Sequence, residues 1–86
     1  MTRMGDTELL ARITSDPSIF GGNPVVRGKR LAVEHVLSML AAGDSPQVLL
    51  IAYPFLESDD FRACMLYAYK LVAHERIEPF SIGSAA

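Results

Sequence analysis

Histidines, a cysteine and a carboxylate pair are the side chains here that could run a reaction or hold a metal. His35 and His74 lie far apart, each beside a glutamate, Glu34 and Glu75. Adjacent positions on a helix point in different directions, so neither His–Glu pair makes a ligand set. Packed or solvent-facing histidines account for both. Asp59 and Asp60 resemble a catalytic carboxylate pair, but they fall in the first turn of a predicted helix, where negative charge complements the dipole. Cys64 is the single cysteine, so no internal disulfide and no multi-cysteine zinc site can form. Its setting, Phe61-Arg62-Ala63-Cys64-Met65-Leu66, reads as that of a small buried hydrophobe. The run Gly22 to Arg30 has the glycines and lysine of a phosphate-binding loop, but five residues separate Gly22 from Gly28 where four are required. Arg30 stands where Ser or Thr would bind magnesium, and Pro24 removes a backbone donor. These residues predict no catalytic site, no cofactor and no metal.

The elements that position these groups belong to one small domain. The chain has 86 residues, half of them hydrophobic, which suffices for a core and argues against disorder. A domain this short leaves much of its surface in water, so a second copy or a partner would add stability. The formal net charge of -2 opposes bulk electrostatic attraction to nucleic acid, though not a local basic patch. The longest uncharged stretch, Ser45 to Leu56, is interrupted by Pro54 and is too short to span a bilayer. The first residues lack the apolar core of a signal peptide, so a cytoplasmic location is expected.

Along the chain, Arg12-Ile13-Thr14 reads as a short strand, and Asp16-Pro17 and Gly21-Gly22-Asn23-Pro24 mark a loop. Pro24 to Arg27 is β-prone, Gly28-Lys29 fits the centre of a type II′ turn, and Arg30-Leu31-Ala32 is placed to return as a second strand. From Val33 the period changes. Val33, Val36, Leu37, Leu40 and Ala41 share one face of an amphipathic helix that Gly43 ends. Ser45 and Pro46 start a second helix, and Pro54 stops it. A third begins at Ser58, with Phe61, Cys64, Met65, Ala68, Leu71 and Val72 as its apolar stripe. The helices are predicted over 33–42, 46–53 and 58–74, and Val36, Leu37, Leu40, Leu49, Phe61, Met65 and Ala68 are expected to be buried together. The first two helices and their Gly-containing turn form a unit seen in helix-turn-helix proteins.

Two groups of residues remain for binding. Arg27, Lys29 and Arg30 are the dense basic cluster, on a hairpin tip where they could meet phosphate oxygens; Arg62 adds a cation on the third helix. Tyr67 and Tyr69 lie partly off the core stripe and suit a subunit or partner interface. Beyond Pro79, Phe80 and Ile82, with Ile77 before it, put apolar anchors on a segment suited to gripping a partner.

Ile13-Thr14-Ser15-Asp16-Pro17, the run from Gly21 to Leu31, Ala42-Gly43-Asp44-Ser45 and Tyr53-Pro54 stand in an order that resembles the bacterial and archaeal family called domain of unknown function four-three-three. The resemblance covers about residues 12–72, and the glycine-rich segment is its specific portion. It implies a mainly α, trihelical, homeodomain-like helix-turn-helix bundle with a short N-terminal β segment. It also implies an antitoxin of VapB type, whose usual partner is a PIN-like toxin; operator DNA is a candidate second ligand, and the thin core and surplus apolar residues lead to the expectation of a homodimer. The alternative is a protein–protein adaptor that does not touch DNA. The expected organisation is a tail over 1–11, the domain over 12–76 and a second tail over 77–86.

Overall fold

The computed structural model describes residues 5–74. The chain is mainly helical, with four helices among the described residues: α1 (Asp6–Leu10), α2 (Val33–Ala41), α3 (Pro46–Ala52) and α4 (Ser58–His74). Two short strands, β1 (Ile13–Thr14) and β2 (Val25–Val26), pair antiparallel with Ile13 opposite Val26.

α1 lies inside the segment expected to be a tail. Five residues cannot hold a helix alone in water. This one is held because the Gly5 amide donates to Glu8 Oε1 at 3.0 Å, and because Leu9 is buried where α1 packs on α4.

The glycine-rich segment makes a smaller sheet than a hairpin. Val25 bridges Ala32 on one side while β1 pairs on the other, so the return over 30–32 is a single bridge and not a strand. The turn also sits one residue earlier than Gly28-Lys29. Lys29 N donates to Val26 O at 2.8 Å, which puts Arg27 and Gly28 at the turn centre with φ of 45° and 69°. Positive φ at both central residues is the type I′ signature, whose twist matches the flanking strands. An arginine in the left-handed region costs about 1–2 kcal/mol, and what its side chain gains there is described below.

The helical ends are where local chemistry places them. Gly43, at φ 105°, closes α2 in a Schellman motif: its amide donates to Leu40 O at 3.0 Å and that of Asp44 to Met39 O at 3.1 Å. Ser45 Oγ accepts from Val48 N at 3.3 Å, and Pro46 fills the first position of α3.

The core joins both parts of the chain. Val26, Leu31, Val33, Val36, Leu49, Leu56, Phe61 and Cys64 form one buried cluster, with Leu37, Leu40 and Tyr67 packed against it. Of the residues expected inside, Val36, Leu49 and Phe61 are buried, Leu37, Leu40 and Ala68 are half-buried, and Met65 is 52% exposed. Met65 is left exposed although it falls on the apolar stripe, and the burial follows Asp60, Phe61, Ala63 and Cys64 instead. No helix of the described residues is long and apolar enough to cross a membrane.

Candidate functional site

The basic cluster divides in two. Arg27 does not sit on an open tip. Its left-handed backbone turns the side chain inward, where Nε and Nη2 reach the Asp60 carboxylate at 3.0 Å each, and Nη2 also donates to the Phe55 carbonyl. Arg12 completes the arrangement, with Nη1 at 2.9 Å from Asp60 Oδ1 and 2.7 Å from Glu57 Oε1. The Glu57 amide donates to Asp60 Oδ2 at 2.9 Å. Asp60 is thus fully buried and holds the strand segment, the type I′ turn and the start of α4 together. Burial alone would push its carboxyl up, but Arg27, the Glu57 amide and Arg12 outweigh burial and hold it below the usual carboxylate range. The paired guanidiniums are raised in turn: Arg12 by its hydrogen bond to Glu57 and then Asp60, Arg27 by that to Asp60. Assigning Asp60 to the helix dipole alone missed this pairing. Asp60 at the third helical position accepts from the preceding amide, and that reach-back was the available signal.

Lys29 and Arg30 remain on the surface. Lys29 Nζ lies 5.8 Å from the centroid of the Phe55 ring, a cation–π distance. Neither makes an ion pair among the described residues, so both charges are available to an anion. Arg62 is spent locally on Asp59, at 3.2 Å.

A second feature is an open apolar groove of about 330 Å³ between α2 and the C-terminal half of α4. Pro24, Val33, Leu37, Tyr67, Leu71 and Val72 line it, with Glu34 at its edge. Tyr67 therefore belongs to the groove wall and the core together, whereas Tyr69 is 65% exposed on another face of α4. The structure does not bring the two tyrosines onto one surface. Ile77, Phe80 and Ile82 lie outside the described residues.

The groups first weighed for chemistry are placed apart. Cys64 is buried, and burial followed by the Asp60 charge pushes its thiol up to about 12. His35 Nε2 lies 3.3 Å from Tyr53 Oη on the exposed side of α2. Among the described residues no group of three His, Cys, Asp or Glu side chains could hold a metal ion.

The model of the family described as "Protein of unknown function (DUF433)" matches residues 13–68. This span includes Asp60, the type I′ turn, Lys29, Arg30 and Tyr67, and stops before Leu71. The chain is 45% identical over 56 residues to "Uncharacterized protein y4eO" of Sinorhizobium fredii (strain NBRC 101917 / NGR234), covering 65% of this chain and 25% of that protein. The chain therefore spans about a quarter of the length of the curated relative it matches. No solved structure matches.

Proposed function

The chain belongs to the DUF433 family of proteins of unknown function, and from that premise we propose that it is a non-catalytic, antitoxin-like binding module that docks a partner protein through the α2–α4 groove. The observation that carries this reading is the groove itself. Leu71 and Val72 are 46% and 67% exposed beside it, an arrangement that costs free energy in water and is recovered when a partner covers it. The partner implied by the resemblance to VapB-type antitoxins is a PIN-like toxin, with Ile77, Phe80 and Ile82 extending the grip and a homodimer as the working unit in the cytoplasm. A homeodomain-like helix-turn-helix arrangement of α2, α3 and α4 accords with the short Gly43 turn and the capped start of α3.

Operator DNA is the second ligand of this reading. Lys29 and Arg30 supply the phosphate contacts and Arg62 lends support, while Arg27 serves them by fixing the turn. The adaptor alternative, without DNA, has its own support: Glu57, Asp59 and Asp60 at the start of α4 engage Arg12, Arg27 and Arg62, which leaves those cations committed within the fold.

Two measurements separate these. A small PIN-like nuclease encoded beside this chain should co-elute with it and lose its RNA-cleaving activity in the complex, and Leu71→Glu should abolish both. Co-elution unaffected by Leu71→Glu would overturn the groove as the docking site. Lys29→Ala with Arg30→Ala should weaken binding to the DNA upstream of the gene and lower its salt dependence by about two phosphate contacts. An unchanged salt slope would leave the adaptor as the correct reading.

A further inference from the structure

Beside the groove, on the neighbouring face of α2 and sharing Glu34 with it, lies a second and larger cleft of about 540 Å³. Its lining draws on four segments: Phe20 and Asn23 from the glycine-rich turn, Arg30 from the stretch before α2, His35 and Ser38 from α2, and Tyr53 from the end of α3.

Phe20 is the informative residue. Its φ is 49°, and it is 47% exposed. A left-handed backbone is costly for a residue with a β-carbon, and a half-exposed phenyl ring gains only part of what full burial would give to offset it. The neighbouring contacts enforce this conformation: Gly21 and Gly22 also have positive φ, the Gly22 amide donates to Ile19 O at 3.1 Å, and that of Asn23 donates to Phe20 O at 3.2 Å. Ile19, just before, is buried and anchors the turn. The fold thus holds an aromatic ring out into a cleft at its own expense. Facing it, Tyr53 and His35 meet edge to face with centroids 6.4 Å apart.

We infer that this cleft is a binding site for a single unstacked nucleotide, with the base among Phe20, His35 and Tyr53 and the phosphate on Arg30. Aromatic side chains accept any flat heterocycle, because every base has a π-face. The Asn23 amide offers both donors and an acceptor to a base edge. Ser38 Oγ spends its hydrogen on His35 O at 2.9 Å and so keeps its lone pairs for an exocyclic amine. Arg30 presents a planar fork that matches phosphate, with Lys29 adjacent. Glu34, also on the cleft wall, disfavours phosphate at that end and gives the ligand a direction. An apolar ligand would leave Asn23 and Arg30 unmatched, and a bare anion would leave the rings unused. The volume is that of an ordinary small-molecule site. A base inside a duplex cannot enter, since both its faces are stacked.

The site shares only Glu34 with the docking groove, and Phe20, Arg30 and Leu71 each line one of the two, so variants at these positions test them separately. The full chain is titrated with AMP, adenosine, inorganic phosphate and a ten-residue oligodeoxyadenylate while tyrosine fluorescence is followed. AMP should quench saturably and more tightly than adenosine or phosphate. A stronger response to AMP than to the oligomer assigns a free nucleotide, and the reverse assigns a nucleotide within a single strand. Phe20→Gly should weaken AMP binding about fivefold or more, from the usual worth of one stacking contact. It should also leave the melting temperature unchanged or raise it, since glycine tolerates that φ. Arg30→Gln should reduce AMP to the affinity of adenosine, and Leu71→Glu should leave AMP binding intact. The inference is overturned if neither AMP nor the oligomer binds at millimolar concentration. It is equally overturned if phosphate displaces AMP at equal concentration, if Phe20→Gly binds as tightly as the parent, or if Phe20→Gly melts markedly lower.

Discussion

The two halves of α4 solve opposite problems. At its start, Asp59, Asp60 and Arg62 are all paired, and the fully buried Asp60 carboxylate is surrounded by Arg12, Arg27 and a backbone amide. Past Ala68 the order inverts: Tyr69, Leu71 and Val72, on either side of Lys70, are large, mostly apolar and exposed. Charge is inside and hydrophobicity outside. A buried ion set specifies geometry more than it adds stability, because desolvation cancels much of its attraction. The first half therefore fixes where α4 sits, and the second presents a surface.

Removing the buried charge is the sharpest way to break this contrast. Asp60→Ala should destabilise the domain by about 3 kcal/mol, since it leaves Arg12 and Arg27 facing a partly buried gap. Denaturant unfolding measures it, and a loss below about 1 kcal/mol would show that packing alone positions α4. The same carboxylate sets a pH dependence. Its folded pKa is depressed, so its contribution is complete above the ordinary carboxylate pKa of about 4 and disappears as pH falls through the lower folded value. Stability should therefore decline below pH of about 4, and Asp60→Asn should flatten that decline. Gly43→Ala, in the turn between α2 and α3, should cost about 1 kcal/mol: nothing lies within 4 Å of the added carbon, so only its φ of 105° resists. At the other end, Tyr69→Glu and Val72→Glu should each change stability by no more than about 0.5 kcal/mol while reducing self-association in light scattering. A large loss of stability there would mean that this half also belongs to the interior.

The sequence made the local features legible. Gly43, Ser45 and Pro46 carry their own conformational preferences, and α2, α3 and α4 lie within a residue of the predicted bounds. What failed depends on contacts distant along the chain. Arg12 and Arg27 are 48 and 33 residues from Asp60, so nothing local distinguishes a paired arginine from a free one. Arg27, Lys29 and Arg30 read as one cluster because spacing says nothing about direction, and the direction of Arg27 is set by the turn register. Met65 was misplaced for a related reason. Apolar spacing identifies a stripe, but which part is covered depends on how far the opposing helices reach, and α2 faces α4 only along part of its length. The Phe20 cleft was invisible, since its walls come from four separate segments.

Cys64 has a practical consequence. Its thiol is enclosed beside Phe61 and Leu49 in the core and is held protonated until about pH 12. A thiol in that state reacts with alkylating reagents only when α4 lifts from the body of the domain. Since the chain has a single cysteine, its labelling rate is an intrinsic clock for that motion, read without any introduced probe. In the regime of fast reclosing, the ratio of this rate to that of a free thiol gives the opening equilibrium directly. A ligand that seals the groove over α4 would slow the clock, and one that seats in the Phe20 cleft, whose walls include no residue of α4, would slow it only by as much as it stabilises the whole domain.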